Sequence, residues 1–340
     1  MIKIRYIYLG AFIEAFDFCV YLVFSHELSK FLLGKESLFL SILIFSISYI
    51  ARPFGSLFFG MIAKNQKNGI TTFLRNSPLW IAIPTFIIAF CPRNDFGIYL
   101  LLICRFMQGF IFGGESGLSF VFAYLNVTKY KNTAIAAFLT SGAVAMAACF
   151  ILIPLIPSLF NLESWRLAFI ISGILSLLFV IIRSRIPKTC NEVFDTNSKN
   201  VSIFKAISYI IIYAAMFNTV LAFLTSGQKY ISLPIAMLSI SFFSILFGFI
   251  FDNVNIFKFL KIINTIAIVF LMFFIYFNQD LLAFFTAFIM CCALGGISIS
   301  SAIKYLANST NLYPSFGLVY NVVMGVMGAL VPIIREVFKS

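Results

Sequence analysis

Eleven apolar runs of membrane-crossing length divide this chain, at 6–25, 37–62, 73–91, 97–124, 132–157, 164–183, 203–224, 231–251, 259–278, 281–303 and 313–334. About 20 apolar residues cross the hydrocarbon of a bilayer. Lipid offers no water to backbone N–H and C=O groups, so a spanning segment must satisfy them internally. The runs lack the residue-by-residue alternation of a membrane β-barrel, and they read as helices. Composition agrees, because only 11% of the 340 residues are charged. A soluble domain carries about 25%, and this chain could not cover a water-facing surface. The reading is an all-α membrane protein. Glu14 and Asp17 interrupt the first run and no small-residue cleavage site follows it, so it is read as a retained helix.

Lysine and arginine set the expected orientation. With the N-terminus in the cytoplasm, fifteen of the 24 basic residues fall inside, seven outside, and Arg52 and Arg105 within spans. Arg183 and Arg185 are counted among the inside residues, at the end of the sixth span. The net charge of +12 is on this reading a topology signal, and no nucleic-acid partner is expected. The seven cysteines (Cys19, Cys91, Cys104, Cys149, Cys190, Cys291 and Cys292) lie mostly in spans without paired spacing, as small buried residues do rather than a disulfide framework or a zinc site. The single histidine, His26, is read as a loop residue near the outer end of the first span.

The longest inside connection, "SRIPKTCNEVFDTNSKN", is polar and carries Pro187. It divides the chain into residues 1–185 with six spans, a linker at 186–202, and residues 203–340 with five. A six-plus-something layout points to paired helical repeats, as in many secondary transporters. "GMIAKNQKNG" (60–69) and "GFIFDNVNIFK" (248–258) occupy equivalent places in the two halves. Each has a glycine followed by a polar, basic turn, a likeness that any two basic loops share.

Five ionisable residues lie well inside spans: Glu14, Asp17, Arg52, Arg105 and Glu115. Each costs about 2.5–3.5 kcal/mol at mid-bilayer, so such residues pair, face a wet cavity, or both. At three-residue spacing Glu14 and Asp17 share one helix face, extended by Gly10 and Tyr21. Within "RFMQGFIFGGESG" (105–117), Gln108 and Glu115 are seven apart and nearly in line, with Arg105 about 80° round. Gly109, Gly113 and Gly117 make a small-residue ladder that lets a neighbouring helix approach closely. The expectation for Arg52 is an ion pair with the inner carboxylates that fixes helix register, in an Arg-Pro turn. Arg105 is expected to face a substrate anion or Gln108. Glu14, Asp17 and Glu115 are read as candidate proton-relay groups, and Glu115→Gln is expected to weaken proton coupling more than folding.

"GAFIEAFDFCVY" (10–21), "ARPFGSLFFG" (51–60), "RFMQGFIFGGESG" (105–117), "WRLAFIISGIL" (165–175), "RSRIPKT" (183–189) and "YPSFGLVYNVVMGVMGALVP" (313–332) occur in this order. Together they resemble the metabolite:proton symporter family of the major facilitator superfamily, which includes proline/betaine transporters. The resemblance implies two pseudo-symmetric bundles with eleven helices here (six plus five), alternating access, and uptake of an osmolyte or organic acid with a proton. It also implies a monomer in a bacterial inner membrane, with no cofactor. Glu14, Asp17, Arg105, Gln108 and Glu115 match the family's polar positions in the cavity-lining first and fourth helices.

The departures matter too. Lys64 stands where the family's loop after helix two has an acid that latches one conformation, and a lysine there is expected to repel. The second-half copy keeps Asp252. The pattern of the family calls for a twelfth helix, which "REVFKS" cannot make, so the C-terminus is expected outside. Two readings follow: a proton-coupled symporter, or a truncated, non-transporting relative acting at most as a membrane interaction protein. An enzyme is not expected, since no His-Glu-x-x-His, Gly-x-Ser-x-Gly or P-loop is present.

Overall fold

The computed structural model of the chain describes residues 2–33, 38–155, 163–186, 203–225, 231–253, 269, 280–307 and 311–339. Its helices are α1 (Ile2–Leu33), α2 (Leu38–Asn65), α3 (Gly69–Ala89), α4 (Asp95–Asn126), α5 (Lys131–Leu152), α6 (Ser164–Arg183), α7 (Ile203–Thr225), α8 (Leu233–Asn253), α9 (Asp280–Leu306) and α10 (Leu312–Lys339), with a short 3₁₀ turn at Ile153–Leu155. Ten of the eleven expected spans are thus seen as helices. The remaining one, 259–278, lies outside the described residues except for Val269, which is helical. The expected linker also lies outside them, apart from Ile186.

Seven of the described helices are each long and apolar enough to cross a membrane. The outward faces of the described helices carry Ile50, Phe54, Ile103, Ile181, Phe242 and Ile289, all more than half exposed and suited to lipid chains. α1 and α4 have 32 residues each, roughly 48 Å of helix, well beyond the hydrocarbon thickness. His26, expected in a loop, consequently sits within α1, whose helix continues to Leu33.

In the first half α2 packs on α4, α3 on α6 and α1 on α5; in the second, α7 packs on both α9 and α10. α5–α8 and α2–α10 join the halves. The glycines decide how closely. A Cβ on Gly55 would stand 1.7 Å from the Phe110 carbonyl oxygen, one on Gly109 2.1 Å from that of Ser48, and one on Gly113 2.0 Å from that of Arg52. The α2 and α4 backbones therefore touch directly along this crossing, as small residues allow. Gly117 continues the ladder against the second half, where a Cβ would meet the Gly317 Cα at 2.8 Å.

The two loop segments that look alike in sequence make the same junction twice. Gly60 on α2 lies against Tyr313–Pro314 at the start of α10, and Gly248 on α8 lies against Asn132–Thr133 at the start of α5. Four residues after each glycine comes a side chain that crosses to the other half: Lys64 in one case and Asp252 in the other. What sequence alone presents as two similar basic loops is a repeated contact. A single connected apolar core runs through this face and into both halves. A second core, around Phe24, Leu28, Trp165 and Phe169, belongs to the first half alone.

Candidate functional site: a buried charge network in the first half

Three carboxylates and three guanidiniums are buried among the helices of the first half: Glu14, Asp17, Glu115, Arg52, Arg105 and Arg183. Arg183 is the residue that sequence reasoning missed, having counted it as an inside charge at a span end. It is fully buried. Its Nη2 lies 2.5 Å from Glu115 Oε1 and its Nη1 lies 3.7 Å from Glu14 Oε1. Nη1 also donates to the Leu74 carbonyl and to Ser77 Oγ, each at 2.8 Å. Gly10 makes the room: a Cβ there would fall 1.7 Å from Arg183 Nη2. The signal was present in the pairing arithmetic, since three intramembrane carboxylates and two arginines leave one acid over.

Glu115 has a full set of partners. Ser77 donates to Oε2 in a very short hydrogen bond, and Ser119 donates to Oε1 at 3.0 Å. Glu14 does not. Its Oε1 lies within 4 Å of the same Arg183 guanidinium but accepts no hydrogen bond. The two acids share one guanidinium. Burying an unpaired charge costs several kcal/mol, and a hydrogen ion on this pair would balance it.

Asp17, one turn along α1, anchors a second cluster. Thr85 and Ser172 donate to Oδ1 at 2.8 Å each, and Gln108 Nε2 donates to Oδ2 at 2.8 Å. Arg105 Nη1 donates to Gln108 Oε1 at 3.1 Å, so the amide links guanidinium and carboxylate without direct contact. Arg105 lies 4.2 Å from the ring centre of Tyr21 and 4.8 Å from that of Phe18. Its Nε and Nη2 are buried and have no hydrogen-bond partner. Of the five residues expected at a cavity, Asp17, Gln108 and Arg105 are thus joined in one cluster and Glu14 and Glu115 in the other, with α1 connecting them. Thr85, Ser172, Ser77 and Ser119 were not singled out in the sequence, where lone hydroxyls in apolar helices carry no visible pattern.

Arg52 departs from expectation. No ion pair of Arg52 occurs among the described residues. Its guanidinium sits in an aromatic cage, 3.9 Å from the Tyr49 ring centre, 4.4 Å from Phe112 and 4.6 Å from Phe18. Three ring faces offer a cation the attraction that a carboxylate would. Nor is there a turn at Arg52-Pro53, since α2 runs straight through both residues. Membrane helices tolerate an internal proline such as Pro53, and Ser56 Oγ donates to the Pro53 carbonyl at 2.9 Å.

At the junction of the halves Asp252 caps a helix to which it does not belong. Its carboxylate accepts from the Asn132 and Thr133 backbone N–H groups at 2.9 Å each and from Thr133 Oγ1 at 2.7 Å. These are unsatisfied donors of the first turn of α5, whose own preceding residue, Tyr130, supplies no side-chain cap. Asp252→Ala is expected to lower stability by about 1–2 kcal/mol, the scale of a lost cap, read as a lower thermal unfolding midpoint; an unchanged midpoint defeats this. Lys64, expected to repel, instead donates to Asn311 Oδ1 at 2.6 Å, immediately before α10. The amide oxygen turns what would be a cation against a helix N-terminus into an attractive contact.

This arrangement of helices is the fold of the major facilitator superfamily. The structure superposes on the fucose:proton symporter FucP of E. coli with a TM-score of 0.70 at 12% identity, covering 100% of this chain and 93% of that one. It superposes on the proton:xylose symporter XylE with a TM-score of 0.66 at 14% identity, covering 100% and 95%. In sequence the chain is similar to the proline/betaine transporter of Escherichia coli K12, 31% identical over 195 residues. That match takes in 53% of this chain, and it spans 39% of the length of the transporter. No protein-family model matches the chain. It is an integral, multi-pass membrane protein.

Proposed function

We propose that this chain is a proton-coupled secondary transporter of a small, carboxylate-bearing metabolite, working by alternating access between its two halves. One observation carries the reading: Glu14 is a buried carboxyl that shares a guanidinium with Glu115 and whose Oε1 has no hydrogen-bond partner. Buried membrane carboxyls of this kind serve as proton carriers. Glu115 and Asp17 are each held by a full set of donors, so the exchanging role passes to Glu14, with Glu115 and Arg183 as its counter-charges. Arg105 offers two unused N–H groups to a substrate carboxylate, such as proline and betaine carry. Similarity to proline/betaine transporters supports this class of substrate.

The excess of lysine and arginine on the loop side supports a cytoplasmic N-terminus in a bacterial inner membrane. The bridges through Asp252 and Lys64 then hold the cytoplasmic face together and act as a gate that must open on each cycle. The protein acts as a monomer, with no cofactor.

The test is uptake into proteoliposomes under an imposed pH gradient, with a panel of zwitterions and organic acids. Gradient-driven uptake of at least one member is expected, and none would remove the reading. Glu14→Gln is expected to make uptake independent of the pH gradient while the unfolding midpoint stays near that of the parent. Retained gradient dependence in that variant returns the role to Glu115, where Glu115→Gln then abolishes it.

A further inference from the structure

Where the two halves meet at the loop face there is a cavity of about 520 Å³, lined by none of the residues of the buried charge network. The α4–α5 loop and the start of α5 line one side, and the ends of α8 and α9 line the other. Three lysines point the chemistry: Lys129 and Lys131 from the first half and Lys304 from the second. Asp252 is the single acid among the described residues lining it, and both its oxygens are taken by the start of α5. Among the described residues neither Lys129 nor Lys131 makes an ion pair. Lys131 rests on the Tyr124 ring, 4.1 Å from its centre, and Lys129 lies 5.2 Å from that of Tyr130. Lys131 from the first half and Lys304 from the second line the same cavity across the junction.

We propose that this cavity binds a phosphate-class anion, which bridges the halves and holds the loop face shut. The volume is within the usual range for small-ligand sites, about 300–1,000 Å³, and exceeds what bare phosphate needs. It suits a phosphomonoester or a phospholipid headgroup as well. The anion accepts charge-assisted hydrogen bonds from ammonium groups of both halves, which are about twice as strong as neutral ones. Tyr124 and Ser300 line the same space, with Ser300 Oγ donating to Asn132 Oδ1. Because the lysines come from opposite halves, occupancy favours one conformation over the other, which is how a ligand shifts a two-state equilibrium. The site is independent of which substrate, if any, the chain transports.

Binding is read by thermal unfolding of the full chain in phosphatidylcholine nanodiscs titrated with inorganic phosphate, against chloride at equal ionic strength. Phosphate is expected to raise the midpoint by at least about 2 °C, as saturable binding to the folded state does. Lys131→Gln is expected to weaken the apparent affinity ~10-fold, the scale of one lost charge-assisted contact. The triple change Lys129→Gln, Lys131→Gln and Lys304→Gln is expected to remove the phosphate effect. If phosphatidylglycerol discs raise the midpoint without phosphate and added phosphate then does nothing, the natural ligand is a headgroup; if phosphate still adds, it is the free anion. Equal effects of chloride and phosphate overturn the proposal. So does a phosphate effect that survives in the triple variant, which is what general salting-out produces. Should the triple variant fail to fold, Lys129→Gln alone, an exposed loop change, must still weaken the response.

Discussion

Replacing Arg183 with methionine is expected to destabilise the protein by about 3–5 kcal/mol, the penalty for stripping a buried charge cluster of its counter-charge, and to abolish uptake. Arg183 is the sole guanidinium within 4 Å of Glu14 or Glu115 among the described residues. Without it two buried carboxylates are left with no cation between them, and Ser77 and the Leu74 carbonyl lose a donor. The decisive comparison is the triple variant Arg183→Met, Glu14→Gln, Glu115→Gln. Removing the charges together is often neutral in a buried cluster, so most of the lost stability should return while uptake does not. Unfolding midpoints measured in one detergent separate the cases. If the single and triple variants are equally unstable, Arg183 acts through packing and not through charge.

Gly113→Val is the second large effect expected, a loss of about 1–3 kcal/mol or more from overpacking. The obstacle is backbone, since the added Cβ would stand 2.0 Å from the Arg52 carbonyl oxygen. A side chain can rotate away; a helix backbone cannot, so α2 and α4 must separate. That separation also strains the Gly55 and Gly109 contacts and the hydrogen bond from Ser48 Oγ to the Arg105 carbonyl at 2.9 Å. Gly325 on α10 is the control, because nothing lies within 4 Å of its added Cβ. Gly325→Ala is expected to be neutral or stabilising by up to about 1 kcal/mol, as for any unobstructed helical glycine. If Gly113→Val and Gly325→Ala shift the unfolding midpoint alike, the close crossing is not what stabilises the pair.

Much of the charge network was open to sequence reasoning in its members but not in its pairings. The spacing of Glu14 and Asp17 places both on one face of α1, and the structure finds them there, each in a different cluster. The partners are another matter. A charge at a span end reads the same whether it reaches out to water or turns inward, because long basic side chains do either. Arg183 turned inward because Gly10, 173 residues earlier in the chain, left room for its guanidinium. Arg52 took three aromatic rings over a carboxylate because Phe18, Tyr49 and Phe112 converge on it from α1, α2 and α4. Glu14, with a poorer set of donors than Glu115, stands out as the proposed exchanging group only when every donor has been assigned.

By itself the amino-acid sequence determined the helices, because a bilayer leaves an apolar segment no other way to satisfy its backbone. It determined too that a handful of charges must be hidden from lipid, and, through its glycines, where helices come close. Only the tertiary structure decided which charge answers which, that Asp252 caps a helix of the other half, and that three lysines from both halves share one cavity. The physical reason is that helix formation in a membrane is settled within each segment, whereas ion pairing, caging and capping depend on distances between segments that no spacing along the chain encodes.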